Sequence, residues 1–308
     1  NFADTTSLTL ERMVGATDVD NLALTDTVNI VDATATYNAT LTYTAAGVTG
    51  ATDSATVNLD GVTAGADIEL VGAIETVTVA TSGSASALAD LVLDNGTTAL
   101  NISAGADLTV ATTLTIASVE TLTVSGAGDV TLSADLDVDT ATVNASGATG
   151  DVSIQSGDVD AAAAVAGVDV ADFTATMGSG DDTVDLTSFD ADDEFSVSLG
   201  AGDDTLTLED GADGVVDNAN AAGTLVADIA TGGDGTDTIS TATATGALQT
   251  TAATGLSGFE VLSFYDQLAN SVTVANYQTG LSVTLTDGAS AGTLVMEAGS
   301  QTVNISGV

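Results

Sequence analysis

Lysine, histidine, proline, cysteine and tryptophan are absent from the chain, and Arg12 is its one basic residue. Each absence removes a chemistry. Without Cys and His there is no ordinary zinc site, haem ligand, thiol nucleophile or Ser-His-Asp triad. Without Lys there is no Schiff base and no phosphate-cradling P-loop. Without a cationic patch, nucleic acid and anionic membrane surfaces are excluded as direct partners. No run of about 18 apolar residues occurs, so the sequence predicts no membrane span. Asn1 opens the chain with no export signal, which reads as a processed or trimmed product.

Acid fills the space left by the missing bases. Among 308 residues there are 44 acids, 36 Asp and 8 Glu, and the formal charge is −43. Such a chain repels itself, so divalent metal or high salt must neutralise it. Disorder is not expected, because 44% of residues are hydrophobic and mean hydropathy is +0.36. With aromatics at 3%, the core must come mainly from Val, Leu, Ile and Ala. Asp, Thr and Gly richness without Lys points outward, to an extracellular protein at a cell surface or in secretions.

The pattern of the chain is all-β. Period-2 alternation of apolar and small polar residues recurs at Thr76–Val79, Leu122–Val124, Val130–Leu132, Leu206–Leu208 and Val283–Leu285. Ala161–Ala164 is the best helical run and is too short to stand alone. A unit of Gly, small residues, Asp and a strand repeats at Asp67, Asp107, Asp129, Asp151, Asp182, Asp204 and Asp237. Several of these steps are 22 residues long, which predicts a parallel β-solenoid of about 14 coils. A second unit, ending in Glu75, Glu120 and Glu260, reads as one further corner repeated in successive coils. Residues 1–62 fit the repeat worst and read as an N-terminal β segment with an assembly or strand-exchange role. Residues 63–308 read as the solenoid, with its special turns concentrated in 177–240. Pro and Lys normally guard strand edges against pairing with other chains, and this chain has neither.

Three turns carry chemistry. They contain Gly178, Gly180, Asp181 and Asp182; Gly200, Gly202, Asp203 and Asp204; and Gly233, Asp234, Gly235 and Asp237. The third matches the nonapeptide G-G-x-G-x-D-x-U-x at every defined position, and the first two lack only its first Gly. Gly permits left-handed turns that bring carbonyls inward, and the final Asp adds a carboxylate. Stacked turns of this kind suit Ca2+, which takes six to eight oxygens in flexible geometry.

These turns resemble those of RTX proteins, the calcium-binding β-roll family secreted by Gram-negative bacteria. The Glu-Thr-Leu/Val strand units and the missing Lys and Cys make the chain similar to RTX-type S-layer proteins. The resemblance implies calcium-dependent folding outside the cell and assembly into a lattice, with Asp182, Asp204 and Asp237 supplying carboxylates. RTX turns recur every nine residues, whereas these lie 22 and 33 apart, so isolated ion sites are expected rather than a ladder.

Other acids read as solvated surface. Asp135, Asp137 and Asp139 are expected on one face of a strand, over Leu136 and Val138. The clusters Asp190–Glu194 and Asp210–Asp217 read the same way. The Gly-Asp-Asp turns resemble those of β-helical polygalacturonases, but that family also relies on His and on basic residues absent here. No enzyme activity is expected.

The sequence thus points to an extracellular calcium-dependent structural protein, a homo-oligomer or polymer that forms a surface layer or filament, with a cell-surface polysaccharide as possible anchor. The alternative is a calcium-stiffened stalk or adhesin segment of a larger RTX protein, for which Phe264, Tyr265 and Tyr277 are the one candidate recognition cluster. Calcium-bound carboxylates should titrate low, so stability is expected to fall with acid.

Overall fold

A computed structural model describes residues 7–13, 15–24, 27–33, 37–45, 47–63, 65–137, 139–157, 173–189, 195–208, 228–242, 255–268, 271–287, 292–297 and 301–305. Ala161–Ala164, Asp190–Glu194 and Asp210–Asp217 lie outside these. The described chain is a parallel β-solenoid. It divides into two compact units, Asn1–Gln155 and Ser156–Val308.

In the first unit each coil gives one strand to each of two sheets. The first sheet stacks Ser7–Glu11, Thr27–Val31, Ser54–Asp60, Thr76–Thr81, Ala99–Ala104, Thr121–Gly126 and Thr142–Ala148. The second stacks Thr17–Leu22, Tyr37–Tyr43, Ala66–Val71, Ser86–Leu93, Leu108–Thr115, Val130–Leu136 and Val152–Ser156. Strands on both sides of position 62 belong to the same sheets. Ser54–Leu59 pairs with Thr76–Thr81, and Tyr37–Thr42 with Ala66–Val71.

Alternation decides which residues face inward. Val28, Val57, Val79, Ile102 and Val124 are in register on consecutive strands and are at most 1% exposed. Each buried Val or Ile contributes about 1.5–3 kcal/mol by leaving water. One residue earlier, the outward positions form a second column: Thr27, Thr56, Thr78, Asn101, Thr123 and Asn144. Beside it, Asn58 Nδ2 donates to Asn29 Oδ1 at 2.8 Å, and Asn29 Nδ2 donates to Ser7 Oγ at 2.8 Å.

The second unit repeats the plan. Phe173–Thr176, Phe195–Ala201, Ile229–Asp234 and Leu256–Ser257 form one sheet. Thr183–Leu186, Thr205–Leu208, Thr238–Thr241, Val261–Phe264, Ser282–Leu285 and Val303–Ile305 form the other. Its core column runs Val184, Leu206, Ile239, Leu262 and Val283. The few aromatics concentrate here. Phe173 and Phe189 pack edge to face at 5.8 Å, and Phe264 and Tyr277 do so at 6.2 Å.

Several sequence expectations change. The Glu unit is two different corners. Glu75 and Glu120 each precede a strand of the first unit's first sheet, whereas Glu260 directly follows Leu256–Ser257 and Phe259 and precedes Val261–Phe264 in the other sheet. A short motif of apolar and small residues around Glu suits either corner, so the pattern could not separate them. The Asp135–Asp139 strand also ends early, at Leu136. Asp137 and Asp139 sit in a turn, where the Asp139 N–H donates to Asp137 Oδ1 at 3.3 Å and the Thr140 N–H to the Asp137 carbonyl at 2.9 Å. Asp can satisfy its own backbone this way, which stops the strand.

Candidate metal centre

The three Gly/Asp turns occupy one corner of the second unit, between its two sheets. Their spacings of 22 and 33 residues each amount to one coil. Thr183 pairs with Thr205, and Thr205 with Thr238. Asp182, Asp204 and Asp237 therefore stack on consecutive coils although they lie 22 and 33 residues apart. The extra length falls between Leu208 and Asp228, outside the corner, and equal spacing in sequence is not required for register in space.

Strand alternation sorts the acids of each turn. Asp182, Val184 and Leu186 face inward together, as do Asp204, Leu206 and Leu208. Asp182 and Asp204 are each 1% exposed and Asp237 is fully buried. Asp181, Asp203 and Asp234 face solvent.

Backbone hydrogen bonds tie these acids into two ladders. In the inner one, the carboxylate of each coil accepts from the backbone of the coil before. The Asp182 N–H donates to Asp204 Oδ1 at 2.7 Å, the Asp204 N–H to Asp237 Oδ1 at 3.0 Å, and the Asp237 N–H to Glu260 Oε2 at 2.9 Å. The outer ladder runs the opposite way. Asp203 N–H donates to Asp181 Oδ1 and Thr236 N–H to Asp203 Oδ1, both at 2.8 Å. Two similar bonds link Asp107, Asp129 and Asp151 in the first unit. Asp67, grouped with these in sequence, is instead inside the strand Ala66–Val71 and opposite Asp90.

Two of the inner acids have one oxygen left over, whereas Asp182 Oδ2 accepts from the Gly178 N–H at 3.2 Å. Asp204 Oδ2 and Asp237 Oδ2 are buried without a hydrogen-bond partner. An unpaired buried carboxylate oxygen is costly, and burial pushes the Asp204 carboxyl up to about 7, with repulsion from Asp182, Asp237 and Asp181 adding to it. The N–H of Asp182 pulls the other way. Asp237 is also raised, first by burial and then by Glu260, Asp203 and Asp234, against the N–H of Asp204. In the chain without metal both carboxyls are therefore raised, because desolvation outweighs the single N–H bond that each accepts.

The glycines let successive corners stack closely. Gly200, Gly202, Gly233 and Gly235 have φ of 102°, 142°, 133° and 149°. A Cβ on Gly202 would fall on the Gly180 carbonyl oxygen, and one on Gly235 on that of Gly202. Their absence of side chain lets successive corners stack in direct backbone contact.

The donor set fits a hard cation in one respect. It is all oxygen, and it includes two buried carboxylate oxygens with nothing to bind. Among the described residues, however, no three acidic side chains converge to hold a metal by themselves. An ion here would need backbone carbonyls or water to complete its shell.

No family model, curated protein or solved structure matches the chain. The RTX likeness therefore rests on the three turns. Sequence reasoning picked out the inner acids and missed Glu260 as the next rung, although it lies 23 residues after Asp237 and opens the same kind of strand. It also missed Asp228, 4% exposed, whose Oδ1 accepts from the Phe195 N–H at 3.3 Å. Nothing in the local pattern marks Asp228.

The aromatic candidate changes status. Phe264 and Tyr277 are buried against each other, so of the proposed aromatic recognition cluster only Tyr265, 41% exposed, reaches the surface. Arg12, with a side chain 74% exposed, pairs with its neighbour Glu11 at 3.5 Å.

Proposed function

We propose that this is an extracellular, calcium-dependent structural protein that self-assembles into a surface layer or filament. The observation that carries the reading is the pair of buried, partnerless oxygens Asp204 Oδ2 and Asp237 Oδ2 in a stack of acids on glycine-lined corners. Asp204 and Asp237 would hold the ion through these oxygens, with water or carbonyls of the Gly178–Gly180 and Gly200–Gly202 turns completing its oxygen shell. Bound Ca2+ would supply the positive charge that offsets repulsion among these acids. Extracellular calcium modules bind at roughly 10⁻⁴–10⁻³ M, which matches outside fluids. The described residues offer a repetitive, acid-rich scaffold, and a cell-surface polysaccharide is the anchor proposed for it.

The test is a calcium titration of chelated protein, followed by circular dichroism and negative-stain electron microscopy, with sodium and magnesium as controls. Ordered polymers and added β-structure at millimolar calcium support the reading. Folded single particles at every calcium concentration would favour the stalk or adhesin segment. A chain equally folded and thermally stable with chelator overturns the calcium claim.

A further inference from the structure

We propose that the outer face of the first sheet in the Asn1–Gln155 unit is a contact surface for the same face of a second copy of this chain. The inference rests on the self-assembly reading and names the surface that does it. The face is built from the column Thr27, Thr56, Thr78, Asn101, Thr123 and Asn144, with Asn29, Asn58, Ser103 and Ser125 beside it. In a chain of charge −43, these positions carry no charge. Acids occur on this sheet's outward positions only at strand ends, Glu11 and Asp60. The opposite sheet differs: Asp18, Asp20, Asp67, Glu69, Asp90 and Asp135 lie on its outward positions.

Electrostatics then selects the pairing. Packed sheets stand about 10 Å apart, so two copies meeting through their neutral faces keep the acids of their opposite sheets about 30 Å apart. The Debye length is about 8 Å at physiological salt, and the repulsion is largely screened. Copies meeting through the acidic faces would bring those carboxylates within about one Debye length. The neutral face is also prepared for contact. Thr is stiff at χ1, and the Asn58–Asn29–Ser7 chain of hydrogen bonds fixes the amides of Asn29 and Asn58, so less side-chain entropy is lost on docking there. Small Thr, Ser and Asn side chains let two sheets approach closely. No exposed aromatic stands on this face to stack a sugar ring.

The absence of native Cys allows a clean test. Thr78, on the central strand of the seven, is replaced as Thr78→Asp and Thr78→Cys. Thr131, outward on the opposite sheet, receives the same two changes as controls. Association in calcium is followed by analytical ultracentrifugation, and Thr78→Cys by a short bis-maleimide cross-linker. The expected result is at least tenfold weaker association for Thr78→Asp, with calcium midpoint and melting temperature unchanged, and parental behaviour for Thr131→Asp. Thr78→Cys should cross-link between copies and Thr131→Cys should not. If both Asp variants associate as the parent does, this face is not the contact while self-assembly stands. A parent that folds in calcium and stays single removes the assembly reading and this inference together. Should Thr78→Asp fail to fold, the two Cys variants decide: equal cross-linking overturns the proposal.

Discussion

Asp204 Oδ1 lies 2.7 Å from the backbone nitrogen of Asp182, one coil earlier and 22 residues away in sequence. This contact makes an acidic corner part of the fold. It holds one carboxylate oxygen in place and leaves the other, Oδ2, buried with no partner. A group in that position asks for a cation or a proton, and the first two predictions follow from that choice.

Replacing Asp204 by Asn keeps an oxygen for the Asp182 N–H and removes the charge. With chelator present, Asp204→Asn should melt higher than the parent, because repulsion from Asp182, Asp237 and Asp181 is relieved. In about 1 mM calcium the order should reverse. Differential scanning calorimetry in both buffers checks this. A variant that gains as much from calcium as the parent does would exclude Asp204 as a ligand.

The pH dependence without metal has a definite sign. The Asp204 carboxyl is pushed up to about 7 in the folded chain, above its unfolded value of about 3.9. Protonation therefore favours the folded state. The contribution is fully present below about pH 4 and is lost as pH rises through about 7. In chelator, the urea midpoint of the second unit should rise from pH 8 to pH 5, and the rise should be smaller in Asp204→Asn. An equal slope in both would show that the general charge of the chain, and not this corner, sets the dependence.

Gly202→Ala should destabilise the second unit by at least about 1 kcal/mol, since φ is 142° and the new Cβ meets the Gly180 carbonyl. Gly15 is the control and should tolerate Ala, because a Cβ added there would have no neighbour within 4 Å. Chemical denaturation of the two variants separates stacking from simple loss of chain flexibility.

Ile102→Ala removes a side chain from the middle of the first unit's inner column, at 1% exposure. Its cost should be about 2–5 kcal/mol, set by how far Val79 and Val124 can close the gap. A loss well under 1 kcal/mol would mean that the inward column is not close-packed.

The fold was legible where alternation and spacing acted alone. Thr76–Val79 and Leu206–Leu208 are strands for the reason visible in sequence, and the 22-residue step between Asp182 and Asp204 is one coil. Legibility failed where a motif had two possible homes. Glu75 and Glu260 follow the same local pattern and turn opposite corners, because a corner is defined by which sheet the next strand joins. It failed again at Asp137, where a local side-chain bond ended a strand whose alternation continued.

The sequence by itself determined the strand content, the acidic character and the identity of the inner acids, because side-chain alternation and glycine placement are local properties. Only the tertiary structure decided that Asp182, Asp204, Asp237 and Glu260 form one ladder. The same holds for the partnerless state of two carboxylate oxygens and for the sheet face left without charge. These depend on register between strands 22 to 33 residues apart, which backbone hydrogen bonding and core packing fix and no short stretch of sequence contains.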